Sequence, residues 1–103
     1  MLNLKFLIMI YLIVIENRSR NFDYAALYDK IKSLADDYIQ AMDCLWFIYC
    51  DKQLDIKETT KELSEYIGLH DLLFMSELPY NVKKEGRLLL TAWDFIRKYE
   101  TNS

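Results

Sequence analysis

The chain has 103 residues, 52% of them hydrophobic and 15% aromatic, with only two Gly and one Pro. That is enough for one domain with a modest core, and it excludes a disordered chain, a collagen-like repeat and a loop-rich disulfide scaffold. Thirteen Lys and Arg against sixteen Asp and Glu leave a formal charge of −3, which excludes a globally basic nucleic-acid binder but not a local basic patch.

Residues 6–15 are almost wholly apolar and follow Lys5, the outline of a signal peptide. No small-residue cleavage site follows: Glu16-Asn17-Arg18-Ser19-Arg20 closes the run, which is well short of the ~20 residues a bilayer span needs. The β-branched content of Ile10, Ile13, Val14 and Ile15 predicts a buried central strand instead, in a chain with no membrane attachment. Met9 directly precedes it, so residues 1–8 read as an N-terminal extension or a misassigned start, and 9–103 as a single domain.

After a polar loop, Leu27, Ile31 and Leu34 recur at helical spacing, with Tyr24, Ala35 and Tyr38 widening the stripe and Asp23 as the expected N-cap. Residues 38–42 and 44–50 read as two strands around a tight turn near Asp43, with the boundary between helix and strand left open. A second helix begins near Ile56. Asp55 with Glu58 forms a capping box, Ile56, Thr60, Leu63 and Ile67 line one face, and Gly68 is the expected left-handed C-cap. Leu72–Leu78 reads as a strand stopped by Pro79. A turn through residues 83–86 leads to a last helix with Leu89, Ala92, Trp93 and Ile96 as its stripe, and the polar tail 100–103 is expected to fray.

Strand, helix, strand, strand, helix, strand and a terminal helix make an α+β chain: a ferredoxin-like βαββαβ unit with an additional C-terminal helix. Alternation in the central strand sets Cys44, Trp46 and Ile48 against Leu45, Phe47 and Tyr49, so both faces of the sheet are apolar. Two helices cover one face. The terminal helix, a second chain or both must cover the other, and a homodimer is the simpler expectation for so small a domain.

Most catalytic templates fail by inventory. The chain has one histidine and no Gly-x-Ser-x-Gly, His-Glu-x-x-His, Walker loop or Gly-x-Gly-x-x-Gly. His70 reads as a solvated loop residue. Cys44 and Cys50, separated by ~20 Å of strand, read as two buried free thiols in a reducing cytoplasm. Glu16 is the informative carboxylate. At a strand end it is a candidate metal ligand and catalytic residue for Mg²⁺ or Mn²⁺, with a second acid supplied by a partner chain across a two-fold axis. Arg18 and Arg20 are placed to grip a phosphate, and an ion pair between Glu16 and one of them is the plain alternative.

Charge is unevenly spread. Residues 1–20 carry three basic groups and one acid, residues 21–77 five against twelve, and residues 78–103 five against three. The basic stretches are therefore the Arg18/Arg20 loop and the group Lys83, Lys84, Arg87, Arg97 and Lys98, both candidates for phosphate contact.

Residues 11–17, then Asp23-Tyr24, then Ala26-Leu27-Tyr28-Asp29-Lys30-Ile31-Lys32-Ser33-Leu34, followed by Asp43 and Trp46 and the closing strand Leu72–Leu78, carry a resemblance. Over residues 10–78 the chain resembles the Cas-two-like family, sometimes labelled SinR-family proteins: stand-alone relatives of the small dimeric CRISPR adaptation subunit. The resemblance implies a ferredoxin-like homodimer that works with RNA or DNA. In the wider group, which includes VapD-type ribonucleases, an Asp ending the first strand is implicated in metal-dependent nuclease activity; CRISPR members also bridge integrase subunits on DNA. The matching residue here is Glu16. Two readings follow: a nucleic-acid-acting dimer with metal-dependent nuclease activity, and a non-catalytic dimer that bridges protein partners.

Overall fold

In the computed structural model, which describes residues 10–79 and 82–100, the apolar run after Met9 forms β1 (Ile10–Glu16). There follow α1 (Ala25–Leu34), β2 (Asp37–Met42), β3 (Leu45–Tyr49), α2 (Ile56–Ser64), β4 (Leu72–Leu78) and α3 (Leu90–Glu100). The four strands form one antiparallel sheet in the order β2-β3-β1-β4, the ferredoxin-like arrangement with an added C-terminal helix. The extension expected at residues 1–8 lies outside the described residues, as do residues 101–103 of the tail.

Strand alternation divides the core in two. Tyr11, Ile13, Ile15, Trp46, Ile48 and Met75 meet Leu27 and Ile31 of α1 and Leu63 of α2. The Tyr11 hydroxyl, buried with its ring, accepts the Leu54 amide at 2.8 Å. On the opposite face Ile10, Leu45, Phe47 and Ala41 meet Ala92, Phe95 and Ile96 of α3. The terminal helix therefore covers part of the second face. Tyr49 and Tyr99 stack with centroids 3.8 Å apart, the Tyr99 hydroxyl donates to Asp37, and Lys98 lies 3.6 Å from the same carboxylate. Cover is incomplete over the β1–β4 half, where Phe74 is 61% and Leu72 49% exposed beside half-buried Val14.

Several local expectations are corrected. Tyr24, not Asp23, occupies the α1 N-cap position, although the Asp23 carboxylate accepts the Ala25 amide at 2.9 Å. The helix ends when Ala35 turns extended, which puts Tyr38 in β2 and largely exposed. In α2, Asp55 accepts the Glu58 amide as expected, but Thr59 rather than Thr60 is buried with Leu63. Leu89 precedes α3 and is exposed, and Phe95 takes the core position in its place. Glu100 closes that helix and is ion-paired with Lys84. Only Cys50 is buried; its thiol donates to the Leu34 carbonyl, and burial pushes it up to about 11. Cys44 is exposed because it belongs to the β2–β3 turn. No helix among the described residues is long and apolar enough to cross a membrane.

Candidate nucleic-acid interface

β1 carries its apolar register to Ile15 and ends on Glu16, directly opposite Leu72 at the start of β4. Glu16 thus stands exposed at the rim of the sheet, next to half-buried Val14 and the exposed Leu72 and Phe74. Its carboxylate receives the Arg18 guanidinium, with Nε to Oε2 at 2.6 Å and both side chains about half exposed (53% and 55%). Arg20 is exposed in the same loop.

What shapes this loop is a residue outside it. Asp71, just before β4 and only 7% exposed, collects four donors from three segments. The amides of Arg18 (2.6 Å), Ser19 (3.0 Å) and Gly68 (2.7 Å) and the Tyr24 hydroxyl (2.8 Å) all donate to its carboxylate. Burial alone would raise this carboxyl; the donors outweigh it and hold it well below the usual carboxylate range. The Tyr24 phenol shifts the other way, raised by burial and by its bond to Asp71.

Gly68 serves this hub. It is not the left-handed C-cap expected for α2, since among the described residues positive φ occurs only at Asn21 and Gly86 and the α2 cap is Glu65. Its role is close approach: a β-carbon at position 68 would lie 2.0 Å from Ser19 Oγ and 2.6 Å from Ser19 Cβ. Asp71 and Gly68 thereby pin the chain that presents Arg18. The sequence signal for this was slight, a Gly and an Asp three residues apart in a helix-to-strand connection.

The second basic group lies elsewhere. Ile10 pairs with Leu78 and Glu16 with Leu72, so residues beyond β4 sit at the opposite end of β1, ~20 Å from Glu16 by strand rise. Lys84 is absorbed by structure: its ammonium donates to Val82 O (2.7 Å) and Pro79 O (3.2 Å) and pairs with Glu100. Lys83 and Arg87 are exposed and make no hydrogen bond or ion pair with a described residue. Arg97 pairs with Asp94 at 3.0 Å, and Lys98 with Asp37. The described residues therefore do not gather the predicted cations into a single patch.

A divalent metal at Glu16 would find no further ligand set among the described residues. Among the described residues no three His, Cys, Asp or Glu side chains converge as a metal site, and the Glu16 carboxylate already holds Arg18. His70 is an exposed loop residue, as expected.

No family model matches the chain, and no curated protein does. Among solved structures it is similar to the crystal structure of a hypothetical protein, TT1823, from Thermus thermophilus, with a TM-score of 0.55 at 15% identity. The match covers 81% of this chain and 96% of that one, and at such identity the likeness is one of fold.

Proposed function

We propose that this chain is a Cas-two-like homodimer that acts on or with nucleic acid. The observation that carries the reading is a juxtaposition at one strand end. An exposed carboxylate, Glu16, and two loop arginines, Arg18 and Arg20, border an apolar strip of half-buried Val14 with exposed Leu72 and Phe74. A second copy laid on that strip would remove apolar surface from water and bring two Glu16–Arg18 pairs to one axis. Arg18 and Arg20 would then meet the phosphate backbone there, with Lys83 and Arg87 extending the contact at the far end of the sheet. Metal-dependent cleavage with Mg²⁺ or Mn²⁺ would need Glu16 from both copies.

A second reading is favoured by the 2.6 Å Arg18–Glu16 pair, which occupies the carboxylate. In it the dimer is a non-catalytic scaffold that bridges nucleic acid or a protein partner. One experiment separates the two: labelled single-stranded RNA and duplex DNA incubated with Mg²⁺, Mn²⁺ or EDTA, with Glu16→Ala beside the wild type and the oligomeric state measured for both. Metal-dependent cleavage lost in a Glu16→Ala dimer establishes the nuclease. Salt-sensitive binding without cleavage, weakened by Arg20→Glu, establishes the scaffold. A monomer that binds neither polymer sinks both.

A further inference from the structure

Between the second face of the sheet, α3 and the segment 82–88 lies a cavity of about 430 Å³. Leu12, Leu45, Phe47 and Leu78 line it from the strands, and Trp93 and Ile96 from α3. This volume and this apolar lining are those of a small-molecule site, in which a few polar groups fix the ligand's orientation. Here those groups are charged. Lys83 and Arg87 also contribute to the lining, neither has a hydrogen-bond or ion-pair partner among the described residues, and both are exposed. Lys84 is turned to Glu100, and Glu85 is the acid in the lining, so the two remaining cations outnumber it.

The charge selects among ligands that would fill such a space. A simple inorganic anion would satisfy the cations and leave the apolar walls wet. An uncharged apolar molecule would fill the walls and leave the cations without a counter-charge. An apolar cation would meet like charge at the mouth. We propose that the cavity binds a small amphipathic anion, a carboxylate carried on an alkyl chain or apolar ring, with its body against Phe47, Trp93 and Ile96 and its head at Lys83 and Arg87. This site is distinct from the Glu16 end of the molecule and does not rest on the nucleic-acid reading.

The test is calorimetric titration of the full chain with decanoate, decanol and decylammonium, each below its micelle concentration. Saturable binding of one decanoate per chain is expected, weaker binding of decanol, and weakest of decylammonium. Charge reversal at the solvent-exposed positions, Lys83→Glu or Arg87→Glu, should weaken decanoate by roughly fivefold each and leave decanol unchanged. Phe74→Asp, on the other half of the sheet face, should leave both unchanged.

Absence of saturation overturns the proposal. So does equal affinity for the three compounds, or loss of binding in Phe74→Asp, which would move the site to the uncovered strip. Decanoate stoichiometry that falls as the protein is concentrated would identify a second copy as the occupant and overturn it as well.

Discussion

The two segments that carry the candidate cations are held by opposite charges. The loop 17–23 is gathered by a buried anion: Asp71 takes the amides of Arg18, Ser19 and Gly68 and the Tyr24 hydroxyl. The segment from Val82 onward is tied to Pro79 by a cation, Lys84, whose ammonium meets the carbonyls of Pro79 and Val82 and the Glu100 carboxylate. In each case the charge closest to the backbone is consumed in shaping the chain, and its neighbours remain for other work. The difference lies in burial and in the kind of donor. Asp71 accepts three backbone amides, whereas Lys84 serves carbonyls that retain a second lone pair.

The largest effect should follow from removing the anion. Asp71→Ala leaves three amides without their acceptor and should cost about 3 kcal/mol in urea unfolding, with Asp71→Asn at about half that. The pH dependence has a definite sign. The folded carboxyl titrates below its unfolded value near ~4, so its contribution is present above that pH and is lost as the pH falls. The acid limb of the stability curve should therefore flatten in Asp71→Asn. An unchanged acid limb would assign the pH response to other carboxylates.

Replacing the cation should matter less. Lys84→Met keeps the stem and abandons Glu100, at an expected cost of about 1–2 kcal/mol by the same unfolding assay. Should this variant lose as much as Asp71→Ala, the contrast between the two hubs fails. The smallest effect belongs to Arg18→Ala, which breaks an exposed pair and should change stability by less than about 0.5 kcal/mol. That variant sharpens the functional contrast too. It frees the Glu16 carboxylate without disturbing the amide of residue 18, so any gain in divalent-cation response would be read against an unchanged fold.

The legible part of this fold was what nearest neighbours in sequence decide. β1, β3 and β4 are apolar runs bounded by charged residues or Pro79, and alternation alone assigned Trp46 and Ile48 to one face and Leu45 and Phe47 to the other. Errors fell where a long-range partner chooses between local options. Tyr38 fits both the α1 stripe and the strand 38–42 in sequence, and pairing with Ile48 settles it in β2. Leu89 fits the α3 stripe, but the helix starts one residue later and seats Phe95 instead. For the candidate site, Glu16 at the strand end and its pairing with Arg18 could be read from adjacency. Asp71 could not, because its donors Arg18, Ser19 and Tyr24 lie 47 to 53 residues away.

The contact between Gly68 and Ser19 reaches beyond this one molecule. A β-carbon at 68 and a β-carbon at 19 cannot both be present with the backbone where it is. The two positions are thus locked into a shared history: in descendants of this fold, a larger residue at the first should arise only where the second has become glycine or the loop has been rebuilt.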